Sequence, residues 1–500
     1  MKTEQEETQG GILTPPRSFG KIIKHLGPGI IIAGSIVGSG ELIATTLVGA
    51  QAGFTLLWLI LLGCIIKIFV QVEFGRHTVI WSRTPLEALN NIPGPRTRRT
   101  NWLLWYWAFM TCTIITQQGG ILGGVGEAMT MVTPLTEEGR IYNRQAGENI
   151  RNKVNFSLQS KTNSQSGTIE SGKKIVLPAL ELKSPPDVRY WVIIIAVVTA
   201  AVLYYGKFAI IQWVSTIMVF MFTVTSIINI VMLQSYENWA INWGEILEGM
   251  SFQTPGGSLS IALATFGLIG MSASELMTYP YWCLEKGYAK FTGVKDDSPA
   301  WLERARGWIR IMRIDSLACM VVYTFSTVVF YLMGAAVLGR VKLMPEKSDL
   351  ILTLSEMYVP VFGSWAQIVF VIGAIAVLYS TFFLVAAGNS RMVVDGLGLF
   401  GIVPKDEKTK IRLVRLISSV WPLIALGLYL WFQAPLPMVL LSGIAQAFML
   451  PMLGFAALIY RYRYMVDELK PGKLWDICLC LSAAGMFVVG FWVVYNQLIK

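Results

Sequence analysis

The chain has 500 residues, of which 54% are hydrophobic and only 14% charged, with a formal net charge of +10. Those proportions exclude a string of soluble domains and indicate a polytopic membrane protein. The basic residues fall in short loops between apolar runs, so the positive balance reports topology, and no nucleic-acid partner is expected.

Eleven spans are predicted, near 27–49, 54–81, 102–132, 189–206, 208–233, 258–282, 312–338, 361–387, 412–432, 435–460 and 475–498. Residues 1–26 form an N-terminal arm, 27–498 a single transporter domain. Within it, 27–233 and 258–460 read as two repeats, with 475–498 as an extra helix. The polar stretch 134–187 is expected to be a flexible insertion on the outer side; it carries a formal glycosylation acceptor, Asn155-Phe156-Ser157. The first 20 residues are polar and the first apolar run is full span length, so no cleavable signal peptide is expected.

Span 1 carries an unusual phrase. Gly34, Gly38 and Gly40 alternate with Ser35 and Ser39, and Glu41 follows at once, with Thr45 four positions on. Glycines free the backbone to open, and open backbone at membrane depth is tolerated only where protein or a cavity lies beside it. A carboxylate at that depth marks a functional site by default. The phrase returns in span 6, almost half the chain later. There Gly270, Ser272 and Ser274 precede Glu275, with Thr278 close behind. Two interrupted apolar segments at corresponding places in two halves point to the substrate site of a secondary transporter.

Lys67 lies about 12 residues into span 2, so about 18 Å deep at 1.5 Å per residue. It reads either as the partner of Glu41 or Glu275 or as a tethered cation or proton carrier. Gln71, Glu73, Arg76 and His77 lie nearer the end of the same span and read as a gate or interfacial network. Gln117 and Gln118 in span 3, Asn389 and Ser390 in span 8 and Gln446 in span 10 are further polar candidates. The six cysteines, Cys64, Cys112, Cys283, Cys319, Cys478 and Cys480, lie in apolar segments and read as small core residues. No nucleophile–base set is visible, because the two histidines, His25 and His77, sit at a membrane edge; an enzyme is not expected, nor is a bound cofactor.

Loop charge alternates along the chain. Lys and Arg crowd the N-terminal arm and the second, sixth, eighth and tenth loops and are absent from the first, fifth and ninth. The positive-inside rule then places the N-terminus in the cytoplasm and the C-terminus outside, in the cell membrane (the inner membrane of a Gram-negative host).

From Gly27-Pro28-Gly29 to Leu56-Leu57-Trp58 the chain resembles the first span and the start of the second in the Nramp family of divalent-metal transporters. The pattern extends over all eleven spans. The resemblance implies an all-α LeuT-type fold in which spans 1–5 and 6–10 are inverted repeats and spans 1 and 6 are broken. It also implies a lipid-embedded carrier of a divalent metal ion, expected as a monomer. The family's metal-site motifs are replaced. Gly38, Ser39, Gly40 and Glu41 stand for Asp-Pro-Gly-Asn in span 1. Met271, Ser272, Ala273, Ser274, Glu275 and Leu276 stand for Ala-Thr-Val-Met-Pro-His in span 6. The acidic residues of span 3 align with Thr111, Gln118 and Ile121, and the Gln of span 10 with Ile444, two places from Gln446.

The expected site is therefore all-oxygen. Breaks near Gly38–Gly40 and Ser272–Ser274 free carbonyls, and Glu41, Glu275, Ser39, Ser274 and Thr45 supply carboxylates and hydroxyls for a hard cation. The bland alternative makes each Glu a cap on a half-helix or the partner of a base. The rival function on the same fold is a symporter of an amino acid or another small organic solute.

Overall fold

The structure is a computed structural model that describes residues 11–165, 186–206, 208–253, 259–296, 298–344, 349–404 and 406–499. Helices stand at all eleven expected places. Span 1 is Pro28–Ile36, continued by Ser39–Thr45 and Thr46–Ala52; span 2 is Leu57–Trp81, span 3 Trp102–Val132, span 4 Pro186–Tyr205 and span 5 Phe208–Leu233. Span 6 is divided into Leu259–Phe266 and Ala273–Lys286; span 7 is Pro299–Met333, span 8 Ala366–Leu399, span 9 Glu407–Phe432, span 10 Pro435–Arg463 and span 11 Lys473–Ile499. Among the described residues, nine helices are long and apolar enough to cross a membrane. The other two are span 3, whose hydropathy is diluted by Gln117, Gln118 and its glycines, and span 6, whose halves are too short.

The packing follows an inverted repeat. Span 2 lies along span 7, span 3 along span 8 and span 4 along span 9. The first half of span 1 packs on span 7, and the second half of span 6 packs on span 2. Span 8 packs on span 5, and span 3 packs on span 10. Each contact maps onto another, or onto itself, when span n is exchanged with span n + 5. This is the LeuT-like all-α architecture, with spans 1 and 6 facing one another at its centre.

Both breaks overlap the expected small-residue stretches but lie toward their N-terminal side. Pro28 opens the first half of span 1 at a position that needs no N–H. The helix gives way at Val37 and Gly38, where Gly38 has φ −135° and ψ −109°, and Ser39–Thr45 resumes at once as π-helix. The chain is therefore open over two residues and not through Gly40. π-Turns inside helices cluster at functional sites. A Cβ on Gly38 would overlap the side chain of Thr381 in span 8, so the close approach of the two spans requires glycine here. In span 6 the interruption runs over 267–272, upstream of the expected Ser272–Ser274. Gly270 holds φ +59°, and Ser272 with Glu275 forms a capping box that starts the second half at Ala273. Ser274 is already helical.

The polar stretch expected to be flexible contains a helix, Glu137–Gln165. Its entry is tied down by Asp187 at the head of span 4. That carboxylate accepts from the Leu135 and Thr136 amides at 2.6 and 3.0 Å and from the Thr136 hydroxyl. Ala146 and Ile150 are buried, while Asn155 is exposed.

Gly38→Ala is expected to lower stability by about 1–3 kcal/mol, the usual cost of overpacking a close contact. Gly427→Ala in span 9, where a Cβ meets nothing, is the control and is expected to be neutral or stabilising. Thermal unfolding in detergent checks both.

Candidate functional site

The two breaks face each other, and the unwound strand of span 6 is gripped by both predicted acids. Glu41 Oε1 accepts from the Gly270 amide at 3.0 Å and from the Thr327 hydroxyl of span 7 at 3.0 Å. Glu275 Oε2 accepts from the Ser272 amide at 2.7 Å, and Ser272 Oγ in turn accepts from the Glu275 amide at 3.3 Å. Glu275 thus does cap its half-helix, as the bland alternative held. Glu41 does not cap its own helix; it reaches across to the opposite repeat. The two carboxylates lie within electrostatic reach of each other. Glu41 is fully buried, and its Oε2 has no hydrogen-bond partner among the described residues.

A second set of contacts runs through five spans. Gln117 of span 3 donates Nε2 to Ser39 Oγ at 3.0 Å and accepts at Oε1 from Gln446 Nε2 of span 10 at 3.0 Å. Gln446 Nε2 also donates to Ser442 Oγ at 3.1 Å, and its Oε1 accepts from the Ser274 amide of span 6 at 3.2 Å. Ser274 Oγ donates to Asn389 Oδ1 of span 8 at 3.2 Å. Beside this chain lies a cavity of about 10 Å3, the room of one water, lined in part by Ser35, Ser274, Glu275, Thr278 and Asn389. Glu41 is not in its lining.

Other predicted residues behave differently. Gln118, next to Gln117, is fully buried with both amide atoms unpartnered among the described residues. Thr45 Oγ1 donates to the Gly40 carbonyl at 2.9 Å, a bond within span 1. The Gly38 carbonyl, expected to be free, accepts from the Leu42 amide at 2.9 Å. Lys67 makes no ion pair among the described residues. Its Nζ donates to the Phe266 and Ile269 carbonyls at 2.7 and 2.6 Å. Lower in span 2, Glu73 pairs with Arg76 and accepts from Trp475 Nε1 at 2.6 Å, and His77 stacks on Tyr460 with ring centroids 4.4 Å apart. These contacts are buried and join spans 2, 10 and 11, while both amide atoms of Gln71, expected in the same network, have no partner among the described residues.

Several partners were not singled out in the sequence. Ser380 and Thr381 of span 8 donate to the Gly34 and Ser35 carbonyls at 3.0 Å each. Thr327 holds Glu41. Asp315 in span 7 accepts from the Gly27 and Gly29 amides at 2.9 and 2.6 Å and from the Tyr279 hydroxyl at 3.1 Å, pinning the start of span 1. An acid within a span was the available signal for Asp315; the hydroxyls carried none. No group of three or more His, Cys, Asp or Glu able to hold a metal ion gathers among the described residues. Any cation at these breaks would need hydroxyl, amide or backbone oxygens beside the carboxylates.

The sequence profile of natural resistance-associated macrophage protein-like (Nramp) proteins matches residues 176–496, well over half of the chain. The chain belongs to the Nramp family. No curated protein matches it by sequence. Among solved structures, a point mutant of the Eremococcus coleocola manganese transporter is similar with a TM-score of 0.63 at 14% identity, covering 99% of this chain and 90% of that one. The same transporter in complex with an aromatic bis-isothiourea substituted compound gives 0.62 at 15%, with the same coverage. A nucleobase-cation-symport-1 family transporter in a closed conformation with bromovinylhydantoin bound gives 0.51 at 11%, covering 98% and 93%. At these identities the likeness shows the fold, and it agrees with the repeat packing of this Nramp protein.

Ser272→Ala removes the hydroxyl that caps the second half of span 6 and is expected to cost about 1 kcal/mol, whereas Ser272→Gly costs a few tenths. Comparing the thermal stabilities of the two variants checks the cap.

Proposed function

We propose that this Nramp protein is a secondary transporter that moves a divalent metal cation across the membrane by alternating access, with the cargo held between the breaks of spans 1 and 6. Glu41 and Glu275 supply its two negative charges, and Ser39, Ser272, Ser274 and the backbone near Gly38 supply neutral oxygens. Gln446 lies within the same polar chain. The observation that carries the reading is Glu41 Oε2, a carboxylate oxygen at membrane depth with no donor among the described residues. Leaving it unmatched is costly, and a cation is the partner that offsets the cost. Family membership and the manganese transporters of the same fold support the same cargo class. The Met and His of the family's span 6 motif are replaced by Ser274 and Leu276, which favours a hard ion of the Mg2+, Ca2+ or Mn2+ kind, since oxygen donors suit such ions.

The rival reading, an organic solute, draws on the amide and hydroxyl chain from Ser39 to Asn389, which suits a polar neutral or zwitterionic ligand. On the proposed reading the carrier is a multi-pass protein of the cell membrane with a cytoplasmic N-terminus, as its loop charges imply.

Glu41→Gln and Glu275→Gln are each expected to lower metal uptake into proteoliposomes at least about tenfold, the equivalent of ~1.4 kcal/mol of lost cation stabilisation. Uptake unchanged in both variants would remove the reading; uptake of an amino acid with no response to metal would favour the rival.

A further inference from the structure

We infer that the break in span 6 is a subsite for a small monovalent cation, and that the chain fills this subsite with its own Lys67 ammonium. The subsite is made by the end of a helix. The last carbonyls of any helix lack partners, and the end of a helix carries partial negative charge. At the end of Leu259–Phe266 the Thr265 carbonyl is taken by the Leu268 and Ile269 amides at 2.8 Å each. The Phe266 and Ile269 carbonyls both turn to Lys67 Nζ, at 2.7 and 2.6 Å. The Phe266 ring adds its face 4.8 Å from the same nitrogen. Two carbonyl oxygens and an aromatic face are what a small cation binds.

The arrangement differs from an ordinary buried ion pair. Lys67 is fully buried, which rules out a side chain reaching for the membrane surface. Glu41 and Glu275 lie within electrostatic reach of it, yet neither takes a salt bridge from it among the described residues. Its hydrogen bonds go to backbone. A neutral side chain of the same length would leave both carbonyls without a donor at membrane depth, where each such group is costly. The ammonium therefore does what a bound alkali or primary ammonium ion would do. It holds the freed end of the first half of span 6 open, and it places a fixed positive charge beside two acids without recruiting an ion from solution.

The inference does not depend on which cargo is carried, and its test contains no divalent metal. Wild type, Lys67→Ala and Lys67→Met are purified as full-length chains, and their thermal unfolding is followed with N-methylglucamine as the only cation, then with sodium or methylammonium in its place. Both variants are expected to unfold at least about 3 °C below wild type in the bulky cation. A small cation is expected to return at least half of that loss to Lys67→Ala. It is expected to leave wild type, and Lys67→Met whose side chain still fills the space, unmoved. The inference fails if Lys67→Ala loses nothing, if no small cation restores it, or if Lys67→Met matches wild type. Should Lys67→Ala be too unstable to purify in the bulky cation, recovery of folded protein only when methylammonium is present throughout supports the subsite, and recovery in neither condition overturns it. Failure here leaves the metal-transport reading standing.

Discussion

A membrane interior offers no water to an open peptide group, so every break in a span must be closed chemically by another part of the chain. Most of what is unusual in this protein answers that requirement. The carbonyls at the break in span 1 take hydroxyls from Ser380 and Thr381 of span 8. The amides at the break in span 6 take carboxylates, Gly270 from Glu41 and Ser272 from Glu275. The carbonyls at that break take Lys67 from span 2. Orphan amides take carboxylates, and orphan carbonyls take hydroxyls or the ammonium.

Each partner but one comes from a different span than the break it closes. Glu275 is local; Glu41, Lys67, Ser380, Thr381 and Thr327 each bind across to another span. The breaks are therefore also the joints that hold the two repeats together. A change in how spans 1 and 6 sit against spans 2, 7 and 8 must exchange these bonds rather than merely bend the chain. The amide chain from Ser39 through Gln117 and Gln446 to Ser274 adds spans 3 and 10 to the same centre. Seven spans from both repeats thus meet at the two breaks.

Much of this was readable before any coordinates. Span positions follow from apolar runs, and the repeat follows from the two glycine, serine and glutamate phrases, because an acid among small residues at membrane depth has few structural explanations. What was lost lay at the scale of single residues. Gln117 and Gln118 are equivalent in composition, but one step along a helix turns a side chain by about 100°, and only Gln117 faces Ser39. The break in span 6 lies earlier than its small residues suggest, because Ser272 and Glu275 stand at the spacing of a capping box, which marks a helix start rather than an opening. Asp315 carries the signal of an acid within a span, but its place near a basic loop lets it read as interfacial. Ser380 and Thr381 look like ordinary small residues of a packed span; only their neighbours across the interface give them a role.

Asp315 sets a bound on how often the molecule can be found in another shape. Its carboxylate holds the Gly27 and Gly29 amides, so swinging the start of span 1 away from span 7 gives up two charge-assisted hydrogen bonds. At about 1.5–3 kcal/mol each, the swung form is populated at on the order of one molecule in a hundred or fewer unless new partners replace them. Whatever drives the excursion must bind the swung form more tightly by at least that margin.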